Sequence, residues 1–429
     1  MRIQAPRGTR DLLPDELRIW HVVEERAREL FRLHGYAEIR TPLLEATELF
    51  VRGIGEGTDL VSKEMYTFTD RGGRSLTLRP EGTASVVRAY LEHRLESGPQ
   101  PVKVYYLGPM FRYERPQAGR YRQFHQLGAE VLGTQDPAAD AETILIPYDL
   151  YQSLGLQGLD LRLNSIGCPN CRPRYREALL DYLRPRVERL CPSHQRNWEA
   201  NPLRVLDCKS EACRAATAEA PETTAFLCEV CADHFAAVRR YLERLQVPYR
   251  VDSRLVRGLD YYTKTVFEIT AESLGAQDAV AGGGRYDGLV QELGGPSVPA
   301  VGFASGLDRV ILTLQRQGTD LGQARPPEVF VAAAGQGVQE AARILAFRLR
   351  RAGIAAATEY GDRSLKAQMK VAGRTGAQWV VVVGEAEWAQ GQVVLREMAT
   401  GAQQIVDAGQ LIATLTRSRE AATDGAPRR

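Results

Sequence analysis

Apolar residues recur at helical spacing from Pro14 to His34, where Leu17, Trp20, Val23, Ala27, Leu30 and Phe31 share one face. The pattern predicts an amphipathic helix, with Pro14 suited to its first turn and Gly35 to a C-terminal cap. The next stretch, "YAEIRTPLLEATELF", carries Pro42 inside an extended run, so a strand there is expected at a sheet edge or broken at the proline. Strand-like runs follow: "SLTLRP", "KVYYLGPMFRYE", "RQFHQLGAEVLG", "LRLNSIG", "YRVDSRLV" and "KTVFEIT". Turns separate most of them and helices few, which predicts a largely antiparallel sheet flanked by helices, an α+β fold. This region covers residues 1–325, with an interruption near 168–232.

A Gly/Pro-containing break, "RQGTDLGQARPPE", changes the pattern again. Beyond it come "VFVAAA", a helical pattern near Val338 to Ala352, "AAATEY", a second helix near Leu365 to Ala372, and "QWVVVVG". Alternating strands and helices over 327–416 predict a small α/β domain. The tail 417–429, "RSREAATDGAPRR", is polar and aperiodic and is expected to be disordered.

Composition changes this picture little. A chain of 429 residues with 44% hydrophobic and 25% charged positions is an ordinary globular chain with room for more than one domain. The net charge of +2 conceals 55 basic side chains, which permit a nucleic-acid surface without demanding one. The N-terminus lacks an export-type apolar segment and no stretch is apolar enough to span a membrane, so a cytoplasmic protein is expected. All 7 cysteines lie between Cys168 and Cys231, and in that compartment they read as metal ligands or plain thiols, not disulfides.

The candidate chemistry sits in "FRYERPQAGRYRQFHQLGAEVLG". Side chains two apart on a strand share a face, so Arg112 pairs with Glu114, and Phe124, Gln126, Gly128 and Glu130 form a second row. A solvated hairpin with cross-strand ion pairs would read the same way. The apolar flanks Tyr105, Tyr106, Leu107, Val131 and Leu132, however, imply a buried sheet, where charges require a partner or a ligand. Arginine forks held on a rigid sheet suit phosphate oxygens. No GxxxxGK[ST] loop occurs, so a bound nucleotide would depend on arginines.

With its flanks, this stretch resembles motif 2 of the class II aminoacyl-tRNA synthetases, in the form found in the histidyl-tRNA synthetase family. The first helix with "GYAEIRTPLLE" resembles motif 1, "AVGFASGLDRVIL" resembles motif 3, and "LRPEGTASVVRAY" and "RGLDYYTKTVFEI" resemble that family's histidine-binding segments. The resemblance spans about residues 4 to 410, and its C-terminal part resembles an anticodon-binding domain. It implies a two-step reaction: histidine and ATP give histidyl-adenylate and pyrophosphate, then histidine passes to the 3′ end of its tRNA. It also implies a homodimer and magnesium accompanying ATP.

By the same resemblance Arg112 and Arg257 are catalytic, both on the α-phosphate. The ATP site comprises Arg112, Glu114 near the adenine amino group, Arg120 toward the distal phosphates, Phe124 stacked on adenine, and Arg309 on the other side of the ring. The histidine site comprises Glu81, Gly82, Thr83, Gln126, Glu130, Tyr261 and Tyr262. "AGGGRYDGL" is a glycine run between strand and helix, which allows close backbone approach to a ligand but is also common in turns; by the resemblance it lines this pocket. The pairs Cys168/Cys171 and Cys228/Cys231 have the CxxC form of a zinc site, but their separation exceeds the usual ribbon spacing, so a structural zinc and plain thiols both stay open. Cys191, His194, Cys208 and Cys213 lie between them. The rival function is a catalytically silent paralogue that regulates ATP phosphoribosyltransferase. Against it stand an intact "RGLDYYT" and the C-terminal domain. "RPQAGRY" and that domain are the candidate tRNA contacts.

Overall fold

The computed structural model describes residues 3–55, 58–256, 261–272, 279–319 and 326–424. The chain divides into two compact units, Met1–Gly322 and Gln323–Arg429.

In the first unit the strands are β1 (Ala37–Glu38), β2 (Leu44–Ala46), β3 (Tyr66–Thr69), β4 (Ser75–Leu78), β5 (Val102–Phe111), β6 (Gln123–Leu132), β7 (Leu159–Ser165), β8 (Arg250–Val251), β9 (Thr263–Ala271), β10 (Ala279–Arg285) and β11 (Ala300–Gly306). Eight of them form one sheet in the order β1-β5-β6-β11-β10-β9-β7-β8. Its interior pairs are antiparallel, and only the short outer strands β1 and β8 add parallel. β2, β4 and β3 make a small second sheet, so the extended run around Pro42 is broken between β1 and β2.

Strand alternation sends neighbouring side chains to opposite faces of the large sheet. Tyr105 joins the core under the first helix, Pro14–Leu33, where Phe31 stacks on its ring at 4.3 Å. Trp20, Val23, Ala27 and Phe31 of that helix are all buried, as its periodicity requires. Tyr106, one residue on, belongs to the other face with Met110, Tyr261, Tyr262 and Tyr286. That second face carries the site. The helix Pro137–Ser153 packs on the first face and is pinned to β10 by a fully buried ion pair between Arg285 and Asp140, which also takes a 3.1 Å contact from His234 Nε2.

The glycine run, for which the sequence leaves a turn and a close backbone approach both open, is the strand β10, hydrogen-bonded to β11 on one side and β9 on the other. Glycines carry no period-two signal, and here the ladder on both sides supplies what the side chains do not.

The second unit has a sheet ordered β13-β12-β14-β15-β16, built from β12 (Val329–Ala334), β13 (Ala356–Thr358), β14 (Trp379–Gly384), β15 (Gln392–Glu397) and β16 (Gln403–Asp407). The first three are parallel, as the alternating pattern predicts, and β15 and β16 extend the sheet antiparallel. The last helix runs Leu411–Asp424, so residues 417–424, expected as part of a disordered tail, are helical. Arginine, glutamate and alanine are good helix formers and continue a helix that has already nucleated.

Candidate active site

β5 ends at Phe111, so Arg112 and Glu114 lie just past the strand, although a 2.9 Å bond from Arg112 N–H to the Arg122 carbonyl extends the ladder. Arg112 Nε donates to the Pro80 carbonyl (2.9 Å), and its guanidinium lies 5.3 Å from the Phe124 ring centre on β6. Glu114 forms an ion pair with Arg120. Arg309, on the helix Leu307–Arg316, donates to the carbonyls of Gly119 (3.3 Å) and Ala279 (3.0 Å). Its neighbour Asp308 accepts from His125 N–H (2.8 Å) and Arg10 (3.1 Å). Burial pushes the Asp308 carboxyl up, but these partners outweigh it and hold it below the usual range.

Deeper on β6, buried Glu130 accepts hydrogen bonds from the Thr83 hydroxyl (2.8 Å) and the Tyr286 hydroxyl (2.5 Å). Desolvation raises its carboxyl to about 8, in spite of the two hydroxyls that favour the ionised form. Gly302 faces it on β11, and a Cβ there would come within 1.7 Å of Glu130 Oε2, so only glycine leaves room for this carboxylate. Glu81 is buried at the start of the helix Thr83–Glu92, where it accepts from the backbone N–H groups of Thr83 (2.7 Å) and Ala84 (2.8 Å). Burial raises its carboxyl as well, against those two bonds. Tyr261 lies 4.7 Å from Tyr262 and 5.7 Å from Tyr286, ring centre to ring centre. Gln126 Oε1 and the Tyr106 hydroxyl are buried and find no hydrogen-bond partner among the described residues. Such orphaned polar atoms are costly unless a ligand completes them.

Most of these groups, though not Tyr106, His125 or Arg10, surround one cavity of about 780 Å³. Of the residues expected at the site, Glu81, Thr83, Arg112, Glu114, Arg120, Phe124, Gln126, Glu130, Tyr261, Tyr262 and Arg309 line it. Gly82 instead fits against Tyr106, whose ring would stand 2.3 Å from a Cβ at that position. Arg257 falls outside the described residues. Sequence reasoning missed Tyr286, although it stands within "AGGGRYDGL", because nothing in the chain joins it to Glu130. It also missed the lining residues Leu206, Asp207, Cys208, Lys209 and Arg214 of the insertion, Arg250 of β8 and Arg254 just after it.

The insertion gathers its cysteines into two groups, Cys168, Cys171, Cys228 and Cys231 in one and Cys191, His194, Cys208 and Cys213 in the other, each with all candidate ligand atoms within 4.8 Å of one another. All the cysteines are free.

A sheet of this topology, with an arginine-lined cavity on one face and a separate α/β unit after it, defines a class II aminoacyl-tRNA synthetase. The model of the histidyl-tRNA synthetase family matches residues 8–310, and that of an anticodon-binding domain matches 328–418. The chain belongs to the histidyl-tRNA synthetase family, whose members form histidyl-adenylate from histidine and ATP and then charge tRNA. It is 58% identical to a histidine–tRNA ligase of Pelotomaculum thermopropionicum, over 95% of this chain and 96% of that one. A histidine–tRNA ligase of Desulforamulus reducens is 54% identical, over 96% and 98%. Among solved structures, apo histidyl-tRNA synthetase from S. aureus superposes with a TM-score of 0.82 at 38% identity, covering 96% of this chain and all of that one (100%).

Proposed function

We propose that the family's two-step reaction runs in this cavity, with its phosphate end at Arg112, Arg120 and Arg309 and its histidine end at Glu130. The observation that carries this reading is the convergence of these side chains, far apart in sequence, on one cavity that closes on a buried carboxylate. Arg112 holds the α-phosphate together with Arg257, Phe124 stacks on adenine opposite Arg309, Glu114 meets the adenine amino group, and Arg120 reaches the distal phosphates. The histidine carboxylate attacks the α-phosphate in line. Catalysis is mostly positioning, plus cancellation of charge on the phosphate oxygens. The α-ammonium meets Glu81, Thr83 and Gln126 beside Gly82, while Glu130 and the Tyr261/Tyr262 pair bind the imidazole.

Tyr286 joins this set: its hydroxyl holds Glu130 in place. A pocket whose buried groups expect the imidazole N–H should reject an isostere lacking it by roughly 10⁴-fold or more, so no editing step is needed. Among the carboxylates on the cavity wall Glu268 offers magnesium an oxygen donor, and the ion, when bound with ATP, would neutralise phosphate charge.

Cys168, Cys171, Cys228 and Cys231 hold a structural zinc in this reading. The loop 115–121 and the C-terminal unit contact tRNA. A homodimer forms around the first helix and the β1 edge, where Leu33, Leu43 and Leu44 are exposed. The protein acts in the cytoplasm; among the described residues no helix is long and apolar enough to cross a membrane. Amino-acid-dependent pyrophosphate exchange tests the whole reading. Histidine alone should support it. Exchange with another amino acid, or none with any, would overturn it.

A further inference from the structure

The short helices inside the insertion, Pro192–Asn197, Leu203–Leu206 and Glu211–Ala216, have 6, 4 and 6 residues. Isolated helices below about 12–15 residues are marginal in water, so something else must hold these together. Their shared core is small, built on Tyr175, Leu179, Leu183, Trp198 and Val205. Small cores of this kind are commonly secured by a metal or by disulfides. The cysteines here are free, which leaves the metal.

The geometry of the thiols is specific. Zinc bonds of about 2.3 Å to sulfur and about 2.0–2.1 Å to nitrogen, arranged tetrahedrally, place ligand atoms about 3.8 Å apart for two sulfurs and about 3.5 Å apart for sulfur and nitrogen. In the group around Cys168 the Sγ atoms are 3.7 Å (Cys168–Cys171), 3.8 Å (Cys168–Cys228) and 3.8 Å (Cys171–Cys231) apart. In the second group Cys191 Sγ lies 3.3 Å from His194 Nδ1 and 4.0 Å from Cys208 Sγ, and Cys213 Sγ lies 3.7 Å from the same nitrogen. The Cys191 backbone N–H donates to Cys213 Sγ at 3.2 Å, just as Cys168 N–H donates to Cys171 Sγ at 3.1 Å in the first group.

We propose a second structural zinc site in the insertion, formed by Cys191, His194 Nδ1, Cys208 and Cys213 and separate from the group around Cys168. It rests on its own ligand geometry and not on zinc at that first group. Binding links the start of the helix Pro192–Asn197 to the stretch after Leu206, and three ionised thiols and one neutral imidazole give the four ligands a structural site requires. Zinc binding displaces the thiol protons to solvent. Because Cys208 and its neighbours Leu206, Asp207 and Lys209 line the catalytic cavity, the ion also fixes one wall of the active site.

The test is metal analysis of the full-length protein, purified under reducing conditions without chelator. Two zinc ions per chain are expected. The pair Cys191→Ser with Cys213→Ser should leave one, and Cys168→Ser with Cys228→Ser should also leave one. His194→Cys, which keeps four ligands, should retain two, whereas His194→Ala should fall toward one. Should the Ser pairs fail to fold, the His194 variants still decide. One zinc, lost with the Cys168 pair and indifferent to Cys191, Cys213 and His194, would overturn the second site while leaving the first. No zinc would overturn both.

Discussion

At the scale of single residues, Glu130 shows what burial does to a carboxylate on the wall of the cavity. Its carboxyl is raised to about 8, so around neutral pH the empty pocket holds it mostly protonated. The fold binds this proton more tightly than the unfolded chain does. Glu130 therefore costs no stability at pH values below the ordinary carboxylate range, and its cost grows as the pH climbs from there to about 8. The melting temperature of Glu130→Gln relative to the parent should rise across that window and then level off. A flat difference would mean that Glu130 is not buried as described. An imidazole N–H prefers the carboxylate as acceptor, so binding histidine should release a proton. Above histidine's own imidazole titration, its affinity should increase with pH until about 8, and Glu130→Gln should abolish the trend. In the proposed reaction Arg257 would act on charge that develops only as the adenylate forms. Arg257→Ala should slow single-turnover adenylation by about 10²–10³, with much smaller changes in substrate dissociation constants and in transfer to tRNA. Equal slowing of both steps would make it a binding residue. That Arg112 and Glu130 would line one cavity was legible from the motif resemblance, which set them in one stretch flanked by apolar strand residues. Tyr286 was not, because its partnership with Glu130 exists only after β10 and β6 have joined one sheet.

At the scale of elements, the Arg285–Asp140–His234 cluster ties the helix Pro137–Ser153 to the end of β10, with the Arg285 and Asp140 side chains fully buried. Neutralising Asp140 leaves the buried Arg285 guanidinium with only the partly exposed Asp287 (3.2 Å) as carboxylate partner. Asp140→Asn should destabilise the first unit by about 3–5 kcal/mol, readable in urea denaturation, and a loss below about 1 kcal/mol would show that Arg285 is solvated by other groups. The long amphipathic helix and the long strands β5 and β6 were legible from periodicity. β10 was not: a strand made largely of glycine and alanine has no alternation to read, and its ladder partners lie elsewhere in the chain. The final helix was likewise missed, since residues 417–424 contribute charge and alanine without an apolar stripe.

At the scale of the whole molecule, each unit has its own buried core, one around Phe31, Phe267 and Phe303 and the other around Val331, Leu345 and Val381. A chain ending at Gly322 should therefore retain histidine-dependent pyrophosphate exchange and lose most tRNA charging. Equal loss of both, in a folded fragment, would refute that division of labour. The break between the units was legible as "RQGTDLGQARPPE"; the strand order was not, because it is set by pairing between distant segments. That order has a consequence for synthesis on the ribosome. β11, the last strand of the large sheet to be made, is inserted between β6 and β10, which do not touch without it. A nascent chain stalled before Ala300 thus carries two half-sheets with no common ladder, and one stalled well past Arg309 can close them around the finished cavity. Stalled chains of increasing length should acquire protease resistance and nucleotide binding together, in one step near that length, and a gradual gain beginning at β6 would show that the halves fold without their keystone.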